Sequence, residues 1–167
     1  MKKLALVLVL GAGCLWVGQT YPATVGANFS ASVTLTSVCR VKTGSDNLTL
    51  DFGTYTAFGA AKDATSINVD FECTRGFAAT PSVSFDTGTD KTSTSGASAS
   101  GVGVVSGLQY SIGAAAGVQT AGSAATTASI GTPDTYRYVV SGTIAAAQAG
   151  TTSTGIQTQA RVVTITY

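Results

Sequence analysis

From Val25 to Leu35 the odd positions are Val25, Ala27, Phe29, Ala31, Val33 and Leu35, and the even positions are Gly26, Asn28, Ser30, Ser32 and Thr34. A strict period of two puts the apolar side chains on one face of a strand and suits no helix. The pattern recurs at Leu48, Leu50 and Phe52, which stop at Gly53, and at Ile67, Val69, Phe71 and Cys73, which alternate with Asn68, Asp70 and Glu72. Val83 and Phe85 follow, then Leu108, Tyr110 and Ile112, then Tyr136, Tyr138, Val140 and Ile144, and last Val163, Ile165 and Tyr167. Gly142 interrupts its segment and reads as a bulge. Ala145 to Ala149 is at most one helical turn. About seven short strands predict an all-β chain, a β-sandwich with Greek-key links. Thr87 to Gly103 and Gly113 to Gly131 are mostly Thr, Ser, Gly and Ala and read as long surface loops or loose hairpins.

Composition narrows the function classes. Thr, Ala, Gly and Ser fill 89 of 167 positions, a poor mixture for a helical bundle. The chain has no His, so the usual base near neutral pH and the commonest metal ligand are missing. A net charge of +1 without a basic cluster argues against nucleic acid as a partner. The expectation is a protein that is not an enzyme and takes no cofactor.

Lys2 and Lys3 precede an unbroken apolar run from Leu4 to Leu10. That is the form of a secretory signal peptide, too short and wrongly flanked for a spanning helix. The expected cut follows Ala23, with Ala27 as the alternative, so residues 1–23 leave and no stable membrane insertion remains. Gly11 stands where a lipoprotein site wants a large aliphatic residue, which argues against lipidation of Cys14. Cleavage leaves seven basic and eight acidic residues, and it leaves Cys39 and Cys73. An even pair in an exported chain predicts a disulfide, the alternative being two buried thiols. A bridge closing about 35 residues stabilises by about 4 kcal/mol on the chain-entropy argument.

The first alternating segment is too long for its own sandwich. Eleven residues reach roughly 37 Å when extended, against about 17–20 Å for a typical strand. Either the strand bends and changes sheets, or its first half projects and pairs elsewhere. A projecting apolar strand needs a dedicated partner, and the open edge of another subunit is one.

The ordered set of short motifs resembles the spore coat protein U family, which includes pilins of the archaic chaperone–usher pathway. The matching stretches are Val33-Thr34-Leu35 before Cys39-Arg40-Val41, Leu50-Asp51-Phe52-Gly53-Thr54-Tyr55, and Ile67-Asn68-Val69 with Cys73-Thr74-Arg75-Gly76. Leu108-Gln109-Tyr110, Val140-Ser141-Gly142-Thr143-Ile144, Gln148-Ala149-Gly150 and Val163-Thr164-Ile165-Thr166-Tyr167 complete the set. Where members often carry Tyr-x-Asp before the last strand, this chain has Gly155-Ile156-Gln157-Thr158-Gln159. The resemblance implies an immunoglobulin-like sandwich that lacks its last strand and is completed by a donated one. It implies a periplasmic chaperone, an outer-membrane usher and identical or related pilin subunits as partners. On this reading residues 24–32 are the donor strand, with Val25, Ala27, Phe29 and Ala31 entering a neighbour's groove. Residues 33–167 form the pilin domain, with Val33 and Leu35 in its own core. Val163, Ile165 and Tyr167 border the groove and meet the chaperone.

Other chemistry fits these residues less well. Asp86, Asp90 and Asp134 lack the regular oxygen spacing of a calcium loop, so no metal is expected. Asp51 and Asp70 with Glu72 would offer a carboxylate pair for glycoside cleavage, but alternating strand positions predict that they face solvent. Tyr55, Tyr136 and Tyr138 could stack on sugars, or pack on a sheet. The expected function is a structural subunit of an extracellular pilus, exported through the periplasm and serving adhesion or biofilm formation. The alternative is an exported carbohydrate-binding or spore-coat-type sandwich module.

Overall fold

The computed structural model describes residues 29–167 apart from 78–79, 87–94, 97–98 and 153–154. The signal segment, both cleavage points, Val25 and Ala27 lie outside the described residues. The chain divides into an N-terminal unit ending at Thr34 and a compact unit from Leu35 to Tyr167. Residues 29–34 form no strand and are exposed.

The compact unit is all-β. Its described strands are β1 (Cys39–Val41), β2 (Lys62–Asp63), β3 (Ile67–Cys73), β4 (Ser82–Phe85), β5 (Ser95–Gly96), β6 (Ala99–Val105), β7 (Leu108–Thr120), β8 (Asp134–Ile144) and β9 (Val163–Thr166). They make two sheets. The larger runs β1-β3-β8-β7-β6, with β2 beside the end of β8, and the smaller runs β5-β4-β9.

Alternation builds the core as the sequence predicts for β3, β4 and β8. Val69, Phe71 and Cys73 of β3 join Tyr136, Tyr138, Val140 and Ile144 of β8, Tyr110, Ile112 and Ala114 of β7, and Val83 and Phe85 of β4. One apolar cluster is thus shared by both sheets. The seven-residue register between β3 and β8 sets Val69 opposite Tyr138 and Phe71 opposite Tyr136. The Phe71 and Tyr138 rings meet edge to face at 6.0 Å. Buried Tyr138 donates its hydroxyl to the carbonyl of Pro81, so the phenol brings no unsatisfied oxygen into the core.

Several expectations need correction. Much of the Gly- and Ala-rich sequence is strand: β6 begins at Ala99, within 87–103, and β7 runs on to Thr120. Small residues carry little alternation signal, yet β8 holds β7 and β7 holds β6. The hairpin between β6 and β7 closes through Ser106 and Gly107, both at positive φ (51° and 66°), as a two-residue turn of right-handed twist requires. The bulge is not at Gly142, which pairs regularly with Ile112; it lies in β7, where Gly117 and Val118 together oppose Arg137. Gly142 is small for another reason. A Cβ there would lie 2.9 Å from Phe52 Cζ and 3.0 Å from Leu50 Cδ2. Leu50 and Phe52 therefore pack over β8 at Gly142 and form no ladder, while Leu48 is exposed. Ala145 to Ala149 is a turn without helix. Val33 and Leu35 are not core residues; they are 91% and 74% exposed, because strand pairing begins only at Cys39.

Candidate functional site

The chain's last strand is the feature around which a site can be built. The run Val163-Thr164-Ile165-Thr166 is β-branched throughout and suits a half-buried strand. It pairs antiparallel with β4, Val163 opposite Phe85 and Thr166 opposite Ser82. Among the described residues no strand pairs with its other side. Val163 and Ile165 pack against the core but stay only partly buried. Tyr167 is 51% exposed, with its ring against Phe77 at 5.7 Å. The result is an apolar strand with one free row of backbone hydrogen-bonding groups, a template for another strand.

A polar knot fixes where this strand begins. Arg161 donates Nε–H to Asp86 Oδ1 at 2.8 Å and bonds the Tyr110 hydroxyl at 3.1 Å and the Val102 carbonyl at 3.3 Å. Its guanidinium also lies 5.8 Å from the Tyr110 ring centre. The Tyr110 hydroxyl in turn donates to Gln159 Oε1 at 2.5 Å, and the Val162 amide donates to Asp86 Oδ1 at 3.2 Å. The Arg161 side chain is only 12% exposed. It ties residues 159–162 to β4, β6 and β7 at once. Gly103 leaves room for it; a Cβ there would be 2.3 Å from the Tyr110 ring. Nothing in the sequence pattern marked Arg161, because it sits in a stretch without alternation.

The opposite end of the domain is closed by other means. Cys39 and Cys73 stand opposite each other in register and are bridged, S–S 2.03 Å. Asp134 accepts from the amides of Gly122 at 2.6 Å and Gly76 at 2.8 Å. Those backbone bonds, first of all Gly122, hold its carboxyl below the ordinary 3.8 although partial burial opposes them.

The remaining residues singled out by sequence are accounted for differently. Phe29 is 91% exposed, and Ala31 is exposed too. Asp70 does not face solvent: it is buried on the outer side of β3 and takes a bidentate pair from Arg137 at 2.7 and 2.8 Å. That bond lowers its pKa against the opposing effect of burial. Glu72 accepts from Arg40 at 2.8 Å. Asp51 caps its own turn by accepting from the Gly53 amide at 2.7 Å. These three carboxylates are tied to separate structural partners. Asp86 is held by Arg161, Asp134 by backbone, and Asp90 lies outside the described residues. No group of three or more potential metal ligands occurs among the described residues. Tyr136 and Tyr138 are buried and turned away from any sugar, while Tyr55 spends its hydroxyl on Ala145 and Gln148. A shallow depression beside Lys42, Val118 and Arg137 is lined by an arginine already committed to Asp70. No helix among the described residues is long and apolar enough to cross a membrane.

No protein-family model, no curated protein and no solved structure matches the chain.

Proposed function

We propose that this chain is a structural subunit of an archaic chaperone–usher pilus, polymerising by donor-strand exchange into a surface fibre. One observation carries the reading: among the described residues β9, the last strand, is paired on one side only and presents half-buried Val163 and Ile165 beside its open row of backbone groups. An immunoglobulin-type sandwich orders its strands A-B-E-D in one sheet and C-F-G in the other. Here β1, β3, β8 and β7 fall in the order of A, B, E and D, and β4 and β9 in the order of C and F. The place of G, beside β9, is the place for a donated strand. The segment from Thr24 to Ser32, with Val25, Ala27, Phe29 and Ala31 on one face, has the alternation that place requires. In this reading a periplasmic chaperone covers β9 first, an outer-membrane usher directs the exchange, and Val163, Ile165 and Tyr167 form the contact. The role is structural and extracellular, without catalysis.

The test adds the missing strand in one chain. Appending Thr24 to Ser32 after Tyr167 through a flexible linker should give a soluble monomer that melts well above the untailed domain. Phe29→Asp in the appended strand should abolish the gain, since an unpaired charge in an apolar groove costs several kcal/mol. Asn28→Asp, on the wetter face, should retain most of it. An untailed domain that is equally stable and monomeric would show that the sandwich is already complete.

A further inference from the structure

We propose that Phe58 is a docking anchor for Val33 and Leu35 of a second copy of this chain, the copy whose N-terminal strand is added to β9. The inference rests on the subunit reading above and specifies a contact outside the groove.

Phe58 has φ +60° and is 74% exposed. A bulky aromatic in left-handed backbone is uncommon and unfavourable, and such outliers persist where the surroundings dictate them. Here they do. The Phe58 amide donates to Gln148 O at 2.8 Å, the Gly59 amide to Thr56 O at 2.9 Å, and the Ala147 amide to Gly59 O at 2.9 Å. Tyr55 Oη donates to Ala145 O and accepts from the Gln148 amide, both at 3.1 Å. The Gln148 side chain bonds both backbone groups of Gln109 at 2.7 and 2.8 Å. The turn is locked by backbone and by Tyr55 and Gln148, none of which needs a ring at position 58. Glycine or asparagine would occupy that conformation more easily. Its own domain therefore gives no reason for the phenyl group.

Topology says what reaches it. The Phe58 turn is bonded to residues 145–148, which follow Ile144, and Ile144 pairs with Tyr110. Tyr110 also holds Arg161, just before β9. Phe58 and the start of β9 thus share one end of the domain; the Cys39–Cys73 bridge and Tyr167 lie at the other. Every strand pairing among the described residues is antiparallel. A strand added to β9 in the same sense enters beside Tyr167 and leaves beside Val163, at the Phe58 end. The residues that leave there are 33–38, which extend at most roughly 20 Å before the first strand pairing of their own chain at Cys39. Val33 and Leu35 are in that link, exposed in their own chain. An exposed aromatic at the exit and two exposed aliphatics in the emerging chain match in chemistry and in place.

The experiment uses the purified mature chain and two synthetic peptides, Thr24–Ser32 and Thr24–Val38. The longer peptide should bind about tenfold more tightly, the scale of two partly buried aliphatic side chains. Phe58→Asn, which suits the left-handed turn, should erase that difference while leaving binding of the short peptide unchanged and the melting temperature unchanged or raised. Replacing Val33 and Leu35 by Ser in the long peptide should erase it equally, with no change to the folded protein. Equal affinities of the two peptides for the native chain, or an advantage that survives Phe58→Asn, would overturn the anchor and leave the subunit reading standing. Failure of both peptides to bind would overturn the subunit reading and the anchor with it.

Discussion

Arg161→Met removes the centre of the knot that positions the last strand. Methionine keeps much of the apolar stem and deletes every donor. Breaking a desolvated ion pair from one side costs about 3–5 kcal/mol. Asp86 keeps 22% of its side chain exposed and retains the Val162 amide, so water and that bond recover part of the loss. We expect about 2–3 kcal/mol. A domain of this size loses about 3–5 °C per kcal/mol, which puts the fall in melting temperature at about 6–15 °C. Equilibrium urea unfolding of the strand-tailed protein measures it. Arg40→Met supplies the control, because the Arg40–Glu72 pair has the same 2.8 Å contact with Arg40 75% exposed, and should cost less than about 1 kcal/mol. Asp86→Asn and the double variant complete a cycle, in which Arg161 and Asp86 should couple by at least about 1 kcal/mol. Equal costs for Arg161→Met and Arg40→Met, or additivity across the cycle, would refute the claim that this pair fixes β9.

Two further outcomes follow from geometry. Asp70 and Asp134 have folded pKa values below the ordinary 3.8, so each contributes stability that is complete above the unfolded value and lost as pH falls through the folded one. Melting temperature should therefore be flat above about pH 5 and drop below about pH 4, with a shallower acid slope in Asp134→Asn; parallel slopes would remove Asp134 from the account. Gly142→Ala forces a methyl group to within 2.9–3.2 Å of Phe52 and Leu50 and should destabilise by about 1–3 kcal/mol in urea unfolding, a loss that Phe52→Leu should partly restore.

Legibility in the sequence followed side-chain size. In β3, β8 and β9 large apolar residues alternate with polar ones, so the buried face is written at every second position. In β6 the buried positions are Gly101 and Gly103 while the valines beside them are only half-buried, and the far half of β7 is mostly Gly, Ala and small polar groups, so only the pairing of β6 with β7 and of β7 with β8 marks them as strand. Leu48, Leu50 and Phe52 alternate as a strand would, yet Leu50 and Phe52 cover the small gap at Gly142 without entering a ladder and Leu48 is left exposed. Asp70 shows the limit of the polar-out rule: its strand position faces outward, but Arg137 on the next strand covers it. Arg161 and Phe58 carry no periodic signal at all. Their significance comes from tertiary hydrogen bonds to residues about 50 to 90 positions away, such as Tyr110 and Gln148.

The Cys39–Cys73 bridge has a mechanical meaning. The compact unit starts at Leu35, and its first strand pairing is at Cys39, so in the proposed fibre a pull on the N-terminal segment is first resisted there. β1 is three residues long and by itself would peel away a pair at a time. The bridge passes the load past β1 into β3, which is held to β8 by seven residue pairs in shear. In the proposed fibre the tether would thus hang from an interior strand of the larger sheet for as long as the bridge is intact.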